Sequence, residues 1–117
     1  MEEEYENYID IDDQKVLRFN DWIYDTIINR TIKELEDSEL LDLIEFVNEA
    51  KRGADGFLIL SQLEKREYKI LCRHIRRAYN KSLDIRRKLY SRKAANQLLR
   101  DFKNLISELI RDERFFE

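Results

Sequence analysis

SQLEKREYKILCRHIRRAYN, Ser61–Asn80, is the stretch from which the fold is read. Ser61 stands three residues ahead of Glu64, the spacing of a capping box, in which each side chain satisfies a backbone N–H that the first helical turn leaves open. A helix is therefore predicted from Ser61 to Asn80. Leu63, Leu71, Ile75 and Ala78 recur on one face, with Leu60 ahead of the cap, and are assigned to a core. Arg66, Lys69, Arg73, Arg76 and Arg77 recur at steps of three and four residues on another side, as a solvent-facing cationic stripe. Cys72, the only cysteine, sits beside Leu71 and is read as a small buried hydrophobe.

Composition extends that reading to the whole chain. The 117 residues suit one domain, and 43% apolar residues suffice for one core. With no proline and two glycines, the chain favours long helices joined by short turns. The expected fold is all-α, a four-helix bundle-like single domain over 1–117 with an acidic N-terminal arm and a long C-terminal helix. The helices are expected at about 13–36, 38–52, 61–80 and 83–112.

Outward from the central stretch, MEEEYENYIDIDD holds seven acidic residues and no basic one. Lacking a helical period, residues 1–11 are expected to form the arm, either partly ordered in solvent or docked on a basic surface, its own or a partner's. Asp12 or Asp13 then caps a first helix with Val16, Phe19, Ile23 and Ile27 on its buried stripe and Trp22 at its flank. Asp37 or Ser38 caps the second, burying Leu40, Leu43, Ile44 and Val47 and exposing Glu39, Asp42, Glu45 and Glu49. Phe57-Leu58-Ile59-Leu60 is too short for a helix and too isolated for a sheet, and is expected to plug the end of the bundle. Ser82 caps the last helix, where Ile85, Leu89, Ala95, Leu99, Phe102, Ile106 and Leu109 hold one face for about seven turns, roughly 40 Å. Phe115 and Phe116 either fold back over the core or meet another subunit.

The net charge of −3 hides a polarity. Residues 1–50 hold 4 Lys and Arg against 16 Asp and Glu, and residues 51–117 hold 18 against 9. Between Lys65 and Lys103 the balance is 14 basic to 3 acidic, a density that marks interaction surfaces.

No pattern in the chain names a reaction. His74, the only histidine, is flanked by arginines and is expected at the surface, without the Cys/His/carboxylate spacing of a metal site. The helix, Asp-Gly loop and helix around Asp55-Gly56 are similar in outline to an EF-hand. The ligand positions fall on Lys51, Gly53, Asp55 and Gln62, of which only Asp55 qualifies, so calcium is rejected. The spacing of Lys69 and His74 resembles the Arg-x4–6-His pair of HEPN-type helical ribonucleases, with the arginine missing. No catalytic residue, metal, cofactor or small-molecule substrate is assigned. The acidic N-terminus and the lack of an apolar run fit no secretion signal or membrane span, and a cytoplasmic protein is expected.

Two binding functions remain. In one, Arg66, Lys69, Arg73, Arg76, Arg77, Arg86, Arg87, Lys93, Arg100 and Lys103 contact the phosphates of a nucleic acid or nucleoprotein, with Tyr68, Tyr79 and Tyr90 available to stack on bases. In the other, the chain is a protein-binding regulator, an inhibitor, antitoxin-like or immunity-like factor or assembly subunit. It would use Glu39, Asp42, Glu45, Glu49, Phe115 and Phe116 on a partner protein or in a homodimer.

Overall fold

A computed structural model describes residues 7–12, 14–51, 56–84 and 91–116, and joins a three-stranded mixed sheet to a set of helices. The all-α expectation is therefore wrong. Asn7–Asp12 (β1) is the middle strand, pairing antiparallel with Lys15–Phe19 (β2) and parallel with Phe57–Ile59 (β3). NYIDID alternates with period two, so Ile9 and Ile11 turn into the core at 0% and 1% exposure while Asp10 and Asp12 turn outward. Residues 7–11 of the expected arm are thus central structure, and residues 1–6 lie outside the described set.

The first helix was extended too far back. Val16 and Phe19 stand three residues apart, as on a helix, yet they belong to β2, where Val16 is 45% exposed and Phe19 is buried. Asp21–Asp37 (α1) starts after Asn20, whose side chain accepts from the Ile23 N–H at 3.3 Å. Buried Asn7 donates through Nδ2 to the Phe19 carbonyl and, at 2.7 Å, to Asp21 Oδ1, tying the first strand to the start of the helix. Trp22, at the flank of the helix, is 39% exposed.

Leu41–Asn48 (α2) is shorter than the expected 38–52. The chain leaves α1 through Glu39, whose φ of 56° allows Leu40 N–H to reach the Leu35 carbonyl at 3.1 Å and Glu39 N–H the Glu36 carbonyl at 3.0 Å. This closes α1 with a Schellman turn.

The apolar run that was to plug a bundle supplies β3 and opens a 3-10 turn, Leu60–Gln62. Ser61 lies in that turn and donates to Asp10 Oδ2 at 3.2 Å, so the capping box does not form. Lys65–Lys81 (α3) begins after Glu64, whose side chain makes no capping bond. Ser82 closes the helix, its buried hydroxyl donating to the Ala78 carbonyl. Arg92–Leu109 (α4) starts afresh from Ser91, which accepts from the Ala94 N–H, and spans roughly 27 Å at 1.5 Å per residue. The single 83–112 helix is therefore corrected, with residues 85–90 undescribed. Glu113–Phe116 (α5) ends the described chain.

One core joins sheet and helices. Ile9, Ile11, Leu58, Ile23, Leu71, Ile75, Leu99 and Phe102 are buried in it, and Ile44 and Ile106, expected there, pack against it half-buried. α1 packs against α3 and against α2. α3 and α4 run antiparallel: Tyr68, near the start of α3, donates to the carbonyl of Leu109 at the end of α4, while Tyr79 meets Phe102 edge to face at 5.5 Å.

Candidate functional site

α3 owes its two-sidedness to spacing. Tyr68, Leu71, Cys72, Ile75 and Ala78 bury one face, which forces Arg66, Arg73, Arg76 and Arg77 out to solvent and leaves Lys69 half-buried. α4 repeats the arrangement, burying Ala95, Leu98, Leu99, Phe102 and Leu105 and exposing Lys93, Arg100 and Lys103. The two helices pack antiparallel, and each turns its cationic row away from the buried face. Eight of the ten expected phosphate-contacting residues therefore lie on α3 and α4, seven of them exposed and Lys69 half-buried, and Arg86 and Arg87 lie outside the described residues.

None of the eight forms an ion pair with another described residue. Lys81, at the end of the helix, does: its Nζ lies 2.9 Å from buried Glu34 of α1, which raises the lysine pKa by hydrogen bonding and charge. Along α3 the pairs 66/69, 69/73, 73/76 and 73/77 set like charges at helical contact spacing, each pair destabilising a helix by about 0.2–0.5 kcal/mol. The surface thus retains repulsion that a polyanion would relieve.

The described tyrosines are engaged in packing. Tyr68 is wholly buried beneath Arg114, whose guanidinium carbon lies 3.9 Å from the ring centroid, and Tyr79 is half-buried against Phe102. Tyr90 lies outside the described residues.

His74, expected at the surface, is 6% exposed and faces α1. Its Nδ1 lies 2.7 Å from the Ile70 carbonyl, which only accepts, so Nδ1 donates there, and Nε2 shares a hydrogen bond with Ser38 Oγ at 2.9 Å. Both ring nitrogens are engaged, and on the helical pitch Lys69 falls on a different side, so the two do not converge in the manner of the HEPN pair. Cys72 is buried as expected, and burial pushes its thiol up to about 12.

The acidic candidates Glu39, Asp42, Glu45 and Glu49 are all exposed, Glu39 in the turn after α1 and the others along α2 or at its end. Phe115 packs half-buried against the core, as a lid would; the side chain of Phe116 is outside the described set.

Sequence reasoning passed over Arg114. Its Nη1 donates to the Leu60 and Leu63 carbonyls at 2.8 Å each, its Nη2 to the Ile11 carbonyl at 2.6 Å, and its Nε to Asp112 Oδ1 at 2.9 Å. That guanidinium holds Asp112 below the usual carboxylate range. Beside it opens a polar cleft of about 650 Å³ lined by Asp12, Gln14, Ser61, Leu63, Arg111, Asp112 and Arg114. Only an Asp and an Arg two residues apart signal this cluster in the sequence. Its partners are main-chain carbonyls, which no residue pattern reveals.

Compared with protein-family models, curated proteins and solved structures, the chain matches none. No described helix is long and apolar enough to cross a membrane, and the described residues contain no group of three or more His, Cys, Asp or Glu that could hold a metal ion.

Proposed function

We propose that the α3–α4 surface binds the phosphate backbone of nucleic acid, with little dependence on base sequence. The observation that carries this reading is the set of eight cations on two helices packed against each other, five of them arginine, that form no ion pair with a described carboxylate. Lys and Arg on such a face release condensed counterions from a polyanion, and arginine's planar fork suits bidentate contact with phosphate oxygens. The burial of Tyr68 favours backbone contact over base stacking, since that ring is not offered to a ligand.

The test is a mobility shift with unrelated duplex and single-stranded oligonucleotides at low salt. The wild type is expected to shift duplexes of different sequence alike and to lose the shift by about 0.3 M salt. Arg73→Glu with Arg77→Glu should weaken binding at least tenfold on every sequence while leaving helicity and thermal midpoint nearly unchanged, because both side chains are exposed. No shift by the wild type, or unchanged binding by the folded double variant, overturns the proposal.

A further inference from the structure

Among the described residues, the exposed face of α2 has no ion-pair partner. Leu43 and Val47 turn the helix onto α1, which leaves Leu41, Asp42, Glu45 and the closing residue Glu49 along the opposite side at steps of three and four residues. Leu41 is 74% exposed, the most open large hydrophobic side chain among the described residues. Asp42, Glu45 and Glu49 form no ion pair with a described residue. α1 packs against both α2 and α3, and the described structure records no ion pair between the α2 stripe and the α3–α4 cations.

We propose that this face docks on the α3–α4 surface of a second copy of the chain, giving head-to-tail self-association. Charge complementarity selects that occupant. Three carboxylates around an exposed leucine are complementary to a cationic face that the same molecule carries elsewhere and that forms no ion pair with a described carboxylate. A head-to-tail contact between two different patches is heterologous, and it leaves an acidic face free at one end and a cationic face free at the other, so that further copies add until a ring closes or the chain stays open. Exposed ion pairs contribute only about 0–1 kcal/mol each, so association is weak and loosened by salt. Nucleic acid on the cationic face competes with the neighbouring copy.

Sedimentation velocity tests this without nucleic acid, so its outcome is separate from that of the phosphate-binding proposal. At about 20 mM salt, where charges act over tens of ångströms, the weight-average sedimentation coefficient of the wild type should rise with concentration, and at about 0.5 M it should fall to the monomer value. Asp42→Lys with Glu45→Lys removes one face, and Arg73→Glu with Arg77→Glu removes the other. Each double variant alone should stay monomeric. Their equimolar mixture retains one matching pair of faces and should form a complex that stops at the dimer. Leu41→Ser, which leaves every charge in place, should weaken wild-type association several-fold. A wild type that stays monomeric at low salt, an inert mixture of the two folded variants, or an α2 variant that associates as the wild type does would each overturn the proposal. The last would assign the acidic face to some other, basic protein.

Discussion

Arg114 joins distant parts of the chain through one side chain. Its guanidinium ties the last turn to the end of β1, the 3-10 turn and the ring of Tyr68. Hydrogen bonds to a charged group contribute about 1.5–3 kcal/mol, and a largely buried pair leaves an uncompensated charge when one partner goes. Arg114→Ala should therefore lower unfolding free energy in urea by about 2–4 kcal/mol, with Arg114→Lys recovering less than half, since lysine keeps the charge but loses the fork. The pair also has a pH signature. Asp112 has a lowered pKa in the fold, so its stabilisation is complete above the ordinary carboxylate value of about 4 and is lost as pH falls through the lowered one. Asp112→Asn should remove that part of the acid sensitivity, visible as a flatter stability profile below about pH 4. Glu39 works in the opposite direction. A side chain with a Cβ at φ 56° strains the Schellman turn by roughly 1 kcal/mol, so Glu39→Gly should raise stability by about that much in the same urea titration.

At the scale of elements, what was legible in the sequence depended on how local the forces are. The buried stripes of α3 and α4 came through, because 3.6-residue periodicity is written into neighbouring residues: Leu71, Ile75, Ala78, Leu99 and Phe102 all lie in the core. The sheet did not. β1 hides period two beneath its carboxylates, β2 offers Val16 and Phe19 at a spacing that passes for helix, and β3 is three residues long and gains its identity only by pairing with a strand about fifty residues away. Strand pairing is non-local, and an apolar run this short fits either assignment. The caps failed for a similar reason, since Ser61 forms a more distant bond to Asp10. Ile9→Ala decides between strand and tail: in the centre of the sheet it should cost about 2–5 kcal/mol, measured by denaturation, whereas a solvated tail would register under about 0.5 kcal/mol.

Across the whole molecule, the charge asymmetry read from the sequence survives the change of fold class. The cationic stripe needed only the spacing of α3 and α4, and those helices fold with the expected faces outward. What the sequence missed was the fate of the acidic end. Part of it is spent on the central strand, and the acidic side chains left exposed include those along α2. Tyr68, a candidate for base stacking, and His74, expected at the surface, are instead engaged in packing and hydrogen bonding, because burial depends on what crosses above a helix. The claim that α3–α4 is a phosphate-binding face is tested most directly by the salt dependence of its affinity for a mixed-sequence duplex. If four to six of the cations contact phosphates, log K against log salt should fall with a slope of about −3.5 to −5.5, and Arg73→Glu with Arg77→Glu should make the slope less negative by about 2. A slope near zero, or one that the folded double variant leaves unchanged, would contradict the account.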